Sequence, residues 1–370
     1  MVVRFQAQDG LRDEGMAGPR DGRVAGSPGS CLAGRNVLMA PRLSVVVPTY
    51  DRRTLLARTL PVLLREVRAS GRAEVIVVVD GSRDGTLEML HGLVDDSTLR
   101  VVSQENRGLA AARNRGAAAA SSEAVLFLDD DMIPRAGLIA AHLEAHAGSG
   151  ERVVFGALAL ADGVRRSFLK MGVKHWGDEV SARLSAPGYR FRFDDCHFGH
   201  ASITRRLLLG AGGFDETFVR FGNEDYELGW RLIQRGAEMS FLPDAVACQI
   251  YDKTFTRWLR DCACVGMADR ILVEKHPALA ADLRLTTGPA HPLKRLARLS
   301  GLAALDPLSP IWGLTELGLA TLERLGARGE VLCKAQSLLG ERRYWQGVRQ
   351  AGGWSTTPLE SSPAGQGRVA

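Results

Sequence analysis

The chain has 370 residues, of which 45% are hydrophobic and 24% charged, and a formal charge of +5. That length and balance allow a real core in one large domain or two ordinary ones and exclude a wholly disordered chain. Lys and Arg are spread along the sequence without a dense block or an aromatic-interleaved stripe, so nucleic acid is not an expected partner, while an anionic substrate or lipid is compatible with the charge.

Residues 1–41 are rich in Gly, Arg, Asp and Ser and contain no apolar segment, which reads as a disordered leader rather than a signal peptide. No run of about 18 apolar residues occurs, so no transmembrane helix is expected. The cysteines show neither paired metal-ligand spacing nor a disulfide framework, and Cys262 and Cys264 read as ordinary helix residues. A reducing, cytoplasmic location fits that usage.

Leu43–Val47 is a buried strand followed by Pro48, Thr49 and Tyr50. Residues 54–67 have helical periodicity, with Pro61 expected to kink or divide the helix. Strands follow at Glu74–Val79 and Leu99–Ser103, separated by a helix over Leu87–Leu93. Arg107–Ala120 is Ala-rich and helical, and Ala124–Leu128 is a fully apolar strand. Gly137–Ala147 is a helix and Arg152–Phe155 a fifth strand. This alternation predicts an α/β fold with a mostly parallel sheet, helices on both faces, and ligands at the carboxyl ends of the strands.

Residues 157–195 lose the pattern while carrying Arg165, Arg166, Trp176, Tyr189, Phe191 and Arg192, and read as an irregular insertion. A strand over Phe198–Thr204, a glycine-rich loop at Gly210–Glu216, a helix over Tyr226–Arg235 and a short strand at Met239–Leu242 come next. Thr254–Glu274 is a long capped helix. Leu293–Leu299, Ile311–Leu325 and Val331–Leu339 are amphipathic helices, and the polar tail from Gly352 is expected to be disordered. The resulting division is a leader (1–41), a catalytic-type domain (42–276, with halves 42–156 and 157–276), a helical extension (277–351) and a tail (352–370).

Two acidic foci carry the chemistry. The first is Asp129, Asp130 and Asp131, directly after a buried strand. Three carboxylates there repel one another strongly and call for a cation. Oxygen-only ligands suit Mn²⁺ or Mg²⁺, which keep open positions for phosphate. Asp80 ends a neighbouring strand, where it could accept a hydrogen bond from a nucleobase imide, and Tyr50 could stack on the base. Arg113 and the start of its helix suit a phosphate. Each of these also has a structural reading: a core aromatic, a turn residue before Gly81, a solvated helix charge. The second focus is Glu224-Asp225 at a helix N-terminus, where the dipole favours an ionised Asp225 fit to act as a general base, although acids are also ordinary there.

The segments LSVVVPTYDR, VVVDGSRDGT, ENRGLAAARNRG, VLFLDDDMIP, GAGGFDETF and GNEDYELGWRL occur in this order over residues 43–270. In order and spacing they resemble the family-2 inverting glycosyltransferases of the GT-A fold. The stretch from Gly199 to Leu232 further resembles members related to galactosyl- and N-acetylgalactosaminyltransferases and chondroitin-type polymerases. The resemblance implies an enzyme that moves a sugar from a nucleotide-diphospho-sugar, a UDP-sugar by expectation, to a hydroxyl of a growing glycan, a lipid-linked saccharide or a secondary metabolite. By position it implies that Pro48, Tyr50 and Asp80 contact the nucleobase and that Arg113 lies near the diphosphate or sugar. Asp129 and Asp131 become the Asp-x-Asp metal site, with Asp130 in support. Asp225 becomes the catalytic base, Glu224 positions hydroxyls, and Gly212 and Gly213 permit close backbone approach. Three positions depart from the pattern: Val79 stands where a second acid is usual, Asn223 where Gly is usual, and Gln249 where many members place a histidine metal ligand. His197 and His200 are the nearest alternatives for that ligand, and His142 with His146, one helical turn apart, lack an acid-rich zinc motif.

Two other functions are compatible with the sheet type: a nucleotidyltransferase, which would want a Gly-rich, basic signature where PTYDRR stands, and a non-catalytic sugar-nucleotide-binding module. The C-terminal helices carry no recognised chemistry and admit two readings, packing on the catalytic domain or peripheral contact with the inner membrane face.

Overall fold

The computed structural model describes residues 42–351 except 94–97, 149, 165, 220–221, 286–290 and 304–306. The expected leader and tail and Arg165 lie outside the described residues.

The first half builds as the alternation predicts. Strand β1 (Leu43–Thr49) leads to α1 (Arg53–Ser70), β2 (Ala73–Asp80), α2 (Thr86–His91), β3 (Leu99–Gln104), α3 (Leu109–Ala119) and β4 (Ala124–Leu128). Strands β1, β2, β3 and β4 are mutually parallel where they pair. Their continuous aliphatic runs make sense because both faces are covered. Val46 packs with Phe127 and Ala112 on one face, whereas Val45 and Val47 pack with Leu56, Leu60 and Leu64 of α1 on the other. Helix α1 runs unbroken through Pro61, contrary to the expected kink. The Ala-rich composition of α3 also has a cause: at Gly116 a Cβ would collide with Val46, so only small residues let this helix lie against β1.

The second half departs more. After β5 (Met132–Pro134) and α4 (Leu138–Ala145), β6 (Arg152–Leu160) is longer than expected. The supposed irregular insertion contains an ordered helix, α5 (Phe168–Leu184), capped by Ser167 accepting from the Lys170 N–H at 3.4 Å. Then come β7 (His200–Thr204), α6 (Arg205–Gly210), α7 (Glu224–Gln234) and β8 (Glu238–Gln249). The eight-stranded order is β3-β2-β1-β4-β7-β6-β8-β5. Strand β7 is antiparallel to both β4 and β6, and β5 is antiparallel to β8. Pro134 thus sits on an edge strand, where a missing N–H is tolerated.

The C-terminal part is helical: α8 (Phe255–Lys275), α9 (Pro292–Leu302), α10 (Ser309–Arg324) and α11 (Glu330–Gln350). Helices α8 and α11 meet backbone to backbone. A Cβ on Gly266 would collide with the Tyr344 carbonyl, and one on Gly347 with the Ala263 carbonyl.

Candidate active site

The carboxyl ends of β1, β2 and β4 lie side by side in the sheet, and the side chain that reaches the loop after β4 is Arg113. Projecting from α3, it is 2% exposed. Its guanidinium donates to Asp225 at 2.7 Å, Glu224 at 3.2 Å and Asp129 at 3.2 Å. One buried cation therefore ties the two acidic foci together across more than ninety residues of sequence, from Asp129 to Asp225. Burial disfavours its charge, but the carboxylates of Asp225, Asp129 and Glu224 more than offset that and hold it protonated. Sequence reasoning placed Arg113 beside a diphosphate; its immediate neighbours are three acids.

The three aspartates after β4 diverge. Asp129 is the accessible one, its side chain 34% exposed. It lies against Gly199, where a Cβ would stand 2.6 Å from its Oδ2, so glycine is what lets the carboxylate sit there. Asp130 turns inward. It accepts from Thr49 Oγ1 at 2.8 Å and pairs with Arg52 at 3.3 Å, while its backbone carbonyl takes the Thr59 hydroxyl at 2.7 Å. Burial pushes its carboxyl up to about 6 against the pull of Arg52. Asp131 is 3.7 Å from Arg52 and accepts from Gln249 Nε2 at 3.1 Å. Its Oδ1 is buried without a hydrogen-bond partner. Burial, then the neighbouring Asp129 charge, pushes Asp131 up to about 7.

An orphaned buried carboxylate oxygen beside a second, accessible carboxylate is the donor set a hard divalent ion suits. Gln249 faces Met132 in the β5–β8 pairing, which puts its amide at the place where a histidine was expected. Among the described residues no group of three or more His, Cys, Asp or Glu side chains could hold a metal.

The loops after β1 and β2 are tied to one another. The Asp51 N–H donates to Ser82 Oγ at 3.0 Å, Asp51 accepts the Arg83 N–H at 2.7 Å, and Asp84 accepts the Arg53 N–H at 2.8 Å. Pro48 lies within β1 opposite Val78, and Tyr50 follows the strand, half-buried. Asp80 is buried at the end of β2, where it accepts from Gln104 Nε2 at 2.8 Å and from the N–H groups of Arg107 and Gly108, both at 2.9 Å. It thus fixes the loop that launches α3.

Helix α7 begins at Asn223, which holds φ 65°, a left-handed geometry that asparagine tolerates better than most residues. Its Nδ2 donates to Asp269 at 2.5 Å, and Tyr344 donates its hydroxyl to the other Asp269 oxygen. Glu224 is 4% exposed. Asp225 accepts the Phe198 N–H at 2.9 Å in addition to Arg113. Burial raises both carboxyls, while Arg113 lowers both. The helix dipole expected to keep Asp225 ionised is therefore opposed by desolvation, and a base so placed holds a proton more readily than a free carboxylate. Nearby, Gly212 and Gly213 have φ 90° and 72°. The close approach at Gly213 is to Asn114, whose Oδ1 accepts the Phe214 N–H at 2.8 Å.

His142, His146 and His200 form a hydrogen-bonded chain through Ser202. His200 Nδ1 lies 3.2 Å from the Ala157 carbonyl, His200 Nε2 lies 3.1 Å from His142 Nε2, and Ser202 Oγ is 2.8 Å from both His142 Nδ1 and His146 Nε2. A carbonyl only accepts, so the chain has one direction: His146 donates to Ser202, Ser202 to His142, His142 to His200, and His200 to Ala157. All three rings are neutral in this arrangement. Burial lowers His142 well below the usual histidine range and brings His146 and His200 down to about 4. His197 instead packs edge-on against Trp176 and Tyr226.

A group whose folded pKa is depressed below an unfolded value of about 6.5 destabilises the fold once the unfolded chain takes up the proton. Each of these histidines should therefore subtract up to about 1.4 kcal/mol per pH unit from the unfolding free energy between about pH 6.5 and 4, while the raised carboxyls of Asp130 and Asp131 contribute with the opposite sign. Urea denaturation of the unmodified protein and of His146→Gln across that range isolates the histidine part; a stability difference between the two that stays constant from pH 6.5 to 4 is the contrary result.

Arg52, Asn114, Asp269 and Tyr344 were not singled out from the sequence. Arg52 lies inside the PTYDRR segment, so its neighbourhood was marked. Asn114 lies beside Arg113 inside ENRGLAAARNRG, and Asp269 and Tyr344 are joined to the site only by contacts distant in sequence.

Comparison with known proteins bears on this geometry. Residues 44–208 match the model described as glycosyl transferase family 2. The matched segment belongs to that family. A second model, the N-terminal domain of galactosyltransferase, matches residues 178–254 of this chain, the segment that delivers β7 and the Glu224-Asp225 pair. Among relatives, validoxylamine A glucosyltransferase of Streptomyces hygroscopicus subsp. limoneus is 30% identical over 294 residues, covering 72% of this chain and 62% of that protein. Chondroitin synthase of Escherichia coli is 27% identical over 246 residues, 58% of this chain and 35% of the other. The chain thus spans about three-fifths or less of the length of these two relatives. A mannosyltransferase from Pyrobaculum calidifontis, solved in complex with GDP-Man and Mn²⁺, superposes with a TM-score of 0.50 at 20% identity over 83% of this chain and 88% of its own. The sheet and its flanking helices are those of the GT-A fold, as the sequence led one to expect.

Proposed function

We propose that the chain is a metal-dependent inverting glycosyltransferase that moves a sugar from a UDP-sugar to a hydroxyl acceptor. The observation that carries this reading is the Arg113 bridge. One guanidinium, held rigid by burial, fixes Asp129 on the donor side and Asp225 on the acceptor side of a single crevice.

In the proposed reaction Asp225 takes the proton of the acceptor hydroxyl as its oxygen attacks the anomeric carbon. The bond from that carbon to the donor phosphate breaks, its electron pair leaves with the nucleoside diphosphate, and the anomeric configuration inverts. Glu224 holds a hydroxyl beside the base. Pro48, Tyr50 and Asp80 border the nucleobase. Asp129 and Asp131, with Gln249 beside them, would hold Mn²⁺ or Mg²⁺, and such an ion supplies neutralisation of charge on the diphosphate. Asp130, engaged by Thr49 and Arg52, supports that pair beside the donor. The named relatives, a glucosyltransferase and a chondroitin synthase, are in keeping with transfer to either a small molecule or a growing glycan.

The test is release of nucleoside diphosphate by the purified chain across a nucleotide-sugar panel with Mn²⁺ or Mg²⁺. Turnover should favour one UDP-sugar, stop with a chelator and resume on adding the metal. Absence of turnover with every donor would reject the enzyme in favour of a binding module. Asp131→Asn should weaken Mn²⁺ binding, followed by electron paramagnetic resonance with UDP present, by about tenfold or more; unchanged affinity removes Asp131 from the metal site.

A further inference from the structure

The C-terminal helices present a surface that the transfer reaction does not use. Helix α10 is apolar on both faces. Its inner face packs Leu319 and Trp312 toward α8 and α11. Its outer face exposes Ile311, Leu314, Leu317 and Leu325, at 60%, 72%, 67% and 65%. These residues recur at helical spacing, with Gly313 and Gly318 facing open space.

The polar groups of α10 are withdrawn from that outer face. Glu316 is held by Arg343 at 2.5 Å, and Glu323 is buried and accepts the Ser167 hydroxyl at 3.1 Å. The two threonine hydroxyls bond their own helix, Thr315 to the Ile311 carbonyl at 2.8 Å and Thr321 to the Leu317 carbonyl at 2.9 Å. Hydroxyls folded back on the helix need no water. The solvent face of α10 is therefore apolar over four turns and carries no charge before Arg324.

Helix α9 adds Leu293, Leu296 and Leu299, all exposed. Its charged residues are Lys294, Arg295 and Arg298, with no acid. Both helices touch Arg342 of α11, which donates to Ser300 of α9 at 3.0 Å and lies over the Trp312 ring of α10. Every charged side chain that the described residues of α9 and α10 turn outward is thus basic. A second copy of this chain would bring those cations against one another. An anionic lipid surface accepts both features, since the leucines enter the acyl boundary and the cations meet the headgroups. Among the described residues no helix is long and apolar enough to cross a membrane, so this mode is in-plane.

We propose that the outer face of α10, with the basic helix α9, seats the protein on an anionic membrane surface. This does not rest on the transfer reaction. The experiment is co-flotation of the full chain with vesicles of phosphatidylcholine alone or with added phosphatidylglycerol. The expected result is recovery with the anionic vesicles, reduced by salt. Leu314→Glu with Leu317→Glu should cut the bound fraction roughly tenfold, and Lys294→Glu with Arg295→Glu should cut it specifically on anionic vesicles. Circular dichroism and donor hydrolysis, both unchanged, show that the variants are folded. No flotation with either vesicle overturns the proposal, as does equal flotation with both. So does a concentration-dependent dimer, seen by light scattering, that the Leu314/Leu317 double variant dissolves, because a second copy would then own the face.

Discussion

Replacing Asp225 with Asn lowers the rate of sugar transfer about a thousandfold, within the range that a positioned general base contributes, and equivalent to about 4 kcal/mol of transition-state stabilisation. Asparagine keeps the shape and can still accept the Phe198 N–H, so the fold and the donor KM stay near their original values. What is lost is the oxygen that takes the proton. The pH profile supplies the second readout. Burial raises the Asp225 carboxyl, so the unmodified protein should lose activity on the acid side as that group takes up a proton, and the variant should lose that limb. Steady-state kinetics with the donor found by the panel measure both. A variant retaining the full rate, or the acid limb, removes Asp225 from the role of base.

Arg113→Ala should be the most damaging single change to stability. It leaves Asp129, Glu224 and Asp225 facing one another without the cation that holds them, two of them in an interior where an unpaired charge is costly. Breaking a buried pair by removing one partner typically costs about 3–5 kcal/mol, which for a domain of this size corresponds to a fall in Tm of roughly 10 °C. Activity should fall with it, since both ends of the crevice lose their common anchor. Lysine is not a rescue, because one ammonium cannot span acids on three sides of a fork. Neutralising an acid is: Arg113→Ala with Glu224→Gln should recover part of the lost Tm. Calorimetry on the single and double variants decides the matter, and a Tm within about 1 °C of the original for Arg113→Ala contradicts a bridging role.

What the sequence made legible follows from where its signals are local. The strands β1, β2 and β4 are near-continuous Val, Ile, Leu and Phe, and a strand covered on both faces has no other composition. Their polar terminal residues then marked the crevice. Helix α5 was missed although Leu169, Val173, Trp176, Val180 and Leu184 recur at helical spacing, because Gly172 and Gly177 interrupt the run and its fully buried residues, Phe168, Leu169 and Leu184, lie only at its ends. The length of β8 was hidden for a related reason, since only its last third is well buried. Arg113 is the instructive case at the site. An arginine in an Ala-rich helix reads as a solvated charge, and nothing nearby announces that its partners arrive from Asp129 and from a helix more than a hundred residues later. The same holds for Asp80, whose hydrogen bonds to Arg107 and Gly108 cross from one strand-end loop to the next.

The hydrogen-bonded series Asn223–Asp269–Tyr344 has a consequence for the timing of synthesis. Domains tend to fold as they leave the ribosome, N-terminal parts first, and strands β1 to β4 have what they need early. The start of α7 does not. Its left-handed Asn223 is held by Asp269, which in turn is held by a hydroxyl near the end of the last described helix, seated through a glycine seam that admits no side chain. A nascent chain could therefore complete strands β1 to β4 while Glu224 and Asp225 are still loosely set, and the start of α7 would be fixed only when Tyr344 has emerged and docked.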